Sequence, residues 1–184
     1  MISGKKATAF SENYVKINFS TDRRYVHMAI EKVREHFAQW HLQHKIQELS
    51  ESSATVELAA QALGCEPERI AKTLSFLVND GAILIVAAGD AKIDNAKYKS
   101  LFGTKAKMVA KEEVLERIGH DIGGVCPFGI NEGVAVYLDE SLKRFTTVFP
   151  ACGSSNSAIE LTIAELETYT PYKEWIDVCK GWND

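Results

Sequence analysis

Residues 73–88 run Thr73-Leu74-Ser75-Phe76-Leu77-Val78-Asn79-Asp80-Gly81-Ala82-Ile83-Leu84-Ile85-Val86-Ala87-Ala88. Thr73 to Val78 and Ile83 to Ala88 are apolar runs of strand length. Asn79-Asp80-Gly81 between them is turn chemistry, because Asp-Gly tolerates positive φ, and the stretch predicts a β-hairpin. Upstream, Thr55 to Leu63 predicts a helix closed by Gly64, and Pro67 suits the first turn of another short one. Further upstream, Val26, Ile30, Val33, Phe37 and Trp40 recur at helical steps, with Thr21 or Asp22 as N-cap. Residues before about 20 show no period and read as a lead-in.

Downstream, Asp94 caps a helix running to Phe102 and ending at Gly103, and Lys111 to Ile118 forms another, ended by Gly119. Val134 to Leu138 and Arg144 to Phe149 read as strands. Thr162 and Glu165 form a capping box. Thr170-Pro171 opens a last predicted helix, whose Trp175, Ile176 and Cys179 form a packed C-terminal cover. Strands and helices mix without strict βαβ alternation, which predicts an α/β or α+β domain with a mixed sheet.

The chain has 184 residues, 46% hydrophobic and 25% charged. That suits one globular domain and excludes disorder, collagen-like repeats and a disulfide scaffold. No apolar run approaches the roughly 20 residues of a membrane span. Cys65, Cys126, Cys152 and Cys179 lie far apart without a C-x-x-C pair, which fits neither a zinc site nor a disulfide framework and points to a reducing cytoplasm. The net charge of −4 weighs mildly against nucleic acid. Residues 92–111 go the other way: Lys92, Lys97, Lys99, Lys105, Lys107 and Lys111 against Asp94 leave a local +5. Such a cluster is either a contact for phosphates or a solvated helix face.

Several residues are candidates for chemistry. Lys72 shares strand parity with Leu74, Phe76 and Val78, which places it at a pocket rim or, just ahead of the strand, in water. Gly119 to Gly129 holds four glycines and one proline, so its backbone can approach a ligand closely and offer N–H groups to an anion or carbonyl oxygen. It matches neither a Walker loop nor G-x-G-x-x-G. Gly153-Ser154-Ser155-Asn156-Ser157 is a small polar loop, a ligand contact or a solvated turn. Cys126 with His120 as base would make a nucleophile only with a lowered thiol pKa, and a buried structural cysteine is the commoner case. His36, His41 and His44 superficially resemble metal ligands and read as surface residues.

The order of these features resembles the YbaK/prolyl-tRNA-synthetase-associated domain family. The likeness lies in Thr55, Ala71-Lys72-Thr73-Leu74, Gly123-Gly124-Val125-Cys126-Pro127-Phe128-Gly129, Leu138-Asp139-Glu140-Ser141-Leu142 and Gly153. It runs from about Tyr25 to Thr170, making residues 1–24 a lead-in and 25–184 one editing domain with a helical C-terminal cover. The resemblance implies a mixed, partly barrel-like sheet surrounded by helices. It implies a trans-editing hydrolase that cleaves the ester of a small wrong amino acid on tRNA, often tRNA for proline, without metal or cofactor. A synthetase pocket separates substrates differing by one methylene by only about 1–3 kcal/mol, so a second sieve is needed.

The family's essential lysine falls on Lys72. The loop amides around Gly123 and Gly124 would hold the carbonyl oxygen, with a ribose hydroxyl assisting water. Thr55, Val125, Pro127, Phe128, Gly129, Gly153 and Ser154 would bind substrate. Histidine stands at the Gly153 position in relatives specialised for alanyl-tRNA, so the glycine disfavours that subgroup. Lys92, Lys97, Lys99, Lys105 and Lys107 would contact tRNA. The expected partners are aminoacylated tRNA and, with it, a synthetase. Two other readings remain: a non-catalytic tRNA- or synthetase-binding module, and a hydrolase of small free esters.

Overall fold

The computed structural model of the chain describes residues 23–182, so Thr21, Asp22 and the lead-in before them lie outside the described residues. In chain order the elements are α1 (Arg23–Ala38), β1 (Gln47–Glu48), α2 (Val56–Leu63), β2 (Ile70–Val78), β3 (Gly81–Ala88) and β4 (Lys92–Ile93). Next come α3 (Asn95–Phe102), α4 (Lys111–Ile118), β5 (Ala135–Asp139), β6 (Thr147–Pro150) and β7 (Ser157–Ala158). The chain finishes with β8 (Leu161–Thr162), α5 (Ile163–Tyr169), β9 (Tyr172–Ile176) and β10 (Cys179–Lys180).

The hairpin of β2 and β3 is the centre of a six-stranded sheet ordered β8-β6-β2-β3-β5-β9. Its turn is one residue earlier than the Asp-Gly pair suggests. Val78 pairs with Gly81, and Asn79 takes the left-handed conformation at φ 52°. β3 has antiparallel β2 on one side and parallel β5 on the other. With neighbours on both edges and side chains buried on both faces, it reads as continuous apolar sequence, and Leu84 to Ala88 are fully buried. The sheet is mixed and curls into a half-barrel with helices around it.

The helices follow their sequence signals. Thr55 Oγ1 accepts from Leu58 N–H at the start of α2, and Gly64 closes it. Asp94 accepts from Ala96 and Lys97 N–H at the start of α3, which holds its carboxyl below the usual range. Thr162 and Glu165 form both halves of the capping box on α5. On α1, Ile30, Val33 and Phe37 are buried, and Phe37 stacks edge-on against Phe128 at 4.7 Å between ring centres.

The C-terminus is a correction: Thr170-Pro171 opens no helix. Tyr172–Ile176 is a strand, parallel to β5, and Cys179–Lys180 pairs with β4. The free edge of β5 needs a hydrogen-bonding partner, and Trp175 and Ile176 belong to one strand while Cys179 belongs to the next, so their helix-like spacing spans a strand boundary. Among the described residues no helix is long and apolar enough to cross a membrane. His41 and His44 are exposed, but His36 is half-buried, donating from Nε2 to Tyr169 O at 2.7 Å, and burial lowers its pKa.

Candidate functional site

A cavity of about 310 Å³ opens where β2 passes the start of α2 and the glycine-rich loop. One wall is β2 from Ile70 to Ser75, and another is Ser53 to Val56 leading into α2. The loop contributes Ile122, Gly123 and Val125, and the end of the sheet contributes Phe149, Ala151, Ser157 and Ala158. Met108 and Lys111 stand in the lining as well. Met108 and Ile122 in the lining are 57% and 46% exposed. Among the described residues no carboxylate lines the cavity.

Lys72 belongs to this lining and is half-buried. Its Nζ donates to Gly89 O at 2.8 Å and to Ala91 O. Burial lowers its pKa, while Cys179 and Asp90 act in the opposite direction. The carbonyls orient the amine without neutralising it, because they carry no charge. Gly89 has no room for a side chain: a Cβ would lie 1.9 Å from Pro67 O. The lysine is therefore not free in water; among the described residues it has no ion-pair partner and is braced by carbonyls.

The glycine-rich loop divides in two. Gly123 and Val125 line the cavity, and their N–H groups have no hydrogen-bond partner among the described residues. Gly124 N–H is engaged by Asp121 O at 3.1 Å, and Gly124 O accepts from Gly153 N–H at 3.1 Å. A Cβ on Gly124 would lie 2.6 Å from the backbone of Gly153 and Ser154, so only glycine permits this contact.

Of the expected substrate contacts, Pro127, Phe128 and Gly129 stand outside the lining of this cavity. Pro127 and Phe128 are buried, and Phe128 packs on His36 and Phe37. Gly129 sits against the backbone of Lys32 in α1. Cys126 is buried outside the cavity with its Sγ 3.6 Å from His120 Nδ1, and burial pushes its thiol up to about 12. The same burial, with Lys32 nearby, pushes His120 down to about 4. A neutral thiol beside a neutral imidazole is a structural pair.

Gly153 and Ser154 also stand outside the lining. Gly153, at φ 85°, faces α1: a Cβ there would lie 2.7 Å from Ala29 O. Ser154 Oγ donates to Ser157 Oγ at 2.7 Å. Sequence reasoning missed Met108 and Ala151, whereas Ile122 and Ser157 belong to the glycine-rich and small polar loops it singled out. For Met108 the available signal was an isolated large apolar residue next to lysines.

Of the lysine cluster, Lys92, Lys99, Lys105 and Lys107 are exposed. Lys97 is matched by Asp177 at 2.7 Å and also donates to Cys179 O, so its charge is not free. Among the described residues no group of three or more His, Cys, Asp or Glu side chains is arranged to hold a metal ion.

A mixed half-barrel whose cavity is framed by a braced lysine and a glycine loop defines a class of small-ligand site at a sheet edge. The family model for the aminoacyl-tRNA editing domain matches residues 50–169, and the chain belongs to that family. It is 59% identical over 156 residues to the uncharacterised protein YwhH of Bacillus subtilis (strain 168), covering 84% of this chain and 99% of that protein. It is 29% identical over 102 residues to the proline–tRNA ligase of Geobacillus sp. (strain WCH70), covering 55% of this chain but 18% of the ligase. A solved structure described as a candidate trans-editing enzyme for prolyl tRNA synthetase superposes with a TM-score of 0.74 at 33% identity, over 83% of this chain and 98% of that one.

Proposed function

We propose that the protein is a trans-editing aminoacyl-tRNA deacylase that removes a small wrong amino acid, with tRNA for proline as the first candidate. The observation that carries the reading is the pair of amides, Gly123 and Val125, without partners among the described residues, in a cavity that also holds Lys72 and, among those residues, no carboxylate. Water adds to the ester carbonyl, the bond to the terminal ribose oxygen breaks, and that oxygen leaves with a proton. Negative charge develops on the carbonyl oxygen, where two preorganised N–H donors act most strongly; losing one such donor costs about 10²–10³ in rate. Gly124, whose N–H is engaged, holds the loop instead of donating. Lys72 adds positive potential and orients the terminal adenosine or its phosphate. Lys99, Lys105 and Lys107 face the acceptor stem, where exposed cations bind phosphates by releasing counterions.

The test is a panel of mischarged tRNAs with the wild type and Lys72→Ala. The wild type deacylates tRNA carrying a small amino acid, and Lys72→Ala loses at least about a hundredfold in rate with an unchanged melting curve. Full activity in the variant removes Lys72 from the mechanism. A wild type that binds these tRNAs and hydrolyses none of them is a binding module. Turnover of free aminoacyl esters as fast as of charged tRNA makes it a small-ester hydrolase.

A further inference from the structure

The cavity floor is a sheet edge with a gap in it. On the outer side of β2, β6 pairs only at Ile70 and Ala71. Further along, Ser75 O accepts from Val109 N–H at 3.1 Å and Leu77 N–H donates to Lys107 O at 2.8 Å. On the inner side, β3 pairs with β2 from Ala71 to Val78. Hydrogen bonding alternates along such a pair, so even-numbered residues of β2 bond to β3 and odd-numbered ones face outward, as Ser75 and Leu77 do. Thr73 is the odd residue in the gap. Its main-chain N–H and C=O have no partner among the described residues, and it lines the cavity.

A secluded main-chain donor and acceptor without partners cost free energy until something pairs with them. The partner must offer one donor and one acceptor at the spacing of a single strand residue. An aminoacyl ester has that spacing: the α-amino group and the ester carbonyl are joined through one α-carbon. With no carboxylate among the described residues of the lining, an amine there needs a neutral acceptor. Thr55 Oγ1 is engaged by Leu58 N–H, and Ser157 Oγ is engaged with Ser154. Thr73 itself holds the free acceptors: its buried Oγ1 has no partner among the described residues, and its C=O, which stands one residue's spacing from the unpartnered Thr73 N–H, has both lone pairs free.

We infer that the aminoacyl group docks on Thr73 as a one-residue strand, its α-amino group donating to Thr73 C=O and its ester carbonyl accepting from Thr73 N–H. The identity of the ligand rests on the deacylase reading; the open edge does not. Docked in this way the ester carbonyl keeps a second lone pair for the loop amides, and the site selects α-amino acids over plain carboxylic acids of the same shape.

Two non-hydrolysable probes separate these ideas: 3′-alanylamido-3′-deoxyadenosine and its 3′-propionamido counterpart, which lacks only the amine. The alanyl compound binds at least about tenfold more tightly, the effect expected when a secluded acceptor loses its donor. In ¹⁵N-resolved spectra the Thr73 amide peak moves on adding the alanyl compound and stays in place with adenosine alone. Equal affinity for the two probes, binding of neither, or an unmoved Thr73 peak overturns the inference. If the probe preference holds while no charged tRNA is hydrolysed, the docking mode stands and the deacylase reading falls.

Discussion

Residues 122–125 and 126–129 are adjacent in the chain and serve different parts of the molecule. The first four turn Gly123 and Val125 towards the cavity with their amides unspent. The next four turn Cys126, Pro127 and Phe128 inward and set Gly129 against α1. One continuous motif thus carries a wall of the cavity and the anchor that keeps it in place. The difference between the halves lies in what meets them: open space on one side, helix α1 and its aromatic residues on the other.

If that division is right, damage to the anchor half appears as lost stability and not as lost chemistry. Phe128→Ala gives the largest effect, costing about 3–5 kcal/mol in chemical denaturation because it empties the contact with Phe37. Deacylation per folded molecule stays near wild type in that variant. A stable Phe128→Ala that has lost activity would break the division.

His120 sharpens it through pH. Its imidazole is held down to about 4 when folded, against an ordinary 6.5 when unfolded. Between those values the unfolded chain binds a proton that the folded one does not. Stability is full above pH 6.5 and is lost as the pH falls towards 4, by on the order of 3 kcal/mol. Replacing the histidine in His120→Gln flattens denaturation midpoints measured across that window, and a slope that survives the replacement assigns the acid sensitivity elsewhere. The smallest effect belongs to Cys126→Ala. It costs about 1 kcal/mol of stability and leaves the deacylation rate unchanged, whereas complete loss of activity would restore the thiol as nucleophile.

Much of the architecture was legible because its causes are local. The β2–β3 hairpin, the caps at Thr55, Asp94 and Thr162 and the stops at Gly64, Gly103 and Gly119 each depend on a few neighbouring residues. The strand at Tyr172–Ile176 depends on the free edge of β5, more than thirty residues away in the chain, and its own alternation is blurred by a bulge. The site divides along the same line. Lys72, Thr55, Gly123 and Val125 were found from their order in the chain and do line the cavity. Phe128, Gly129, Gly153 and Ser154 belong to the same motifs, but α1 and Ser157 meet them first. Nothing in residues 123–157 announces that a helix from the N-terminus will lie there.

The contact between Gly153 and Ala29 also limits how this protein can diverge. With a carbonyl oxygen 2.7 Å from where a Cβ would stand, position 153 and the path of α1 form one heritable unit. No single codon change installs a histidine there while the helix keeps its course. A side chain gained at this position and an altered path of α1 are therefore expected to occur together.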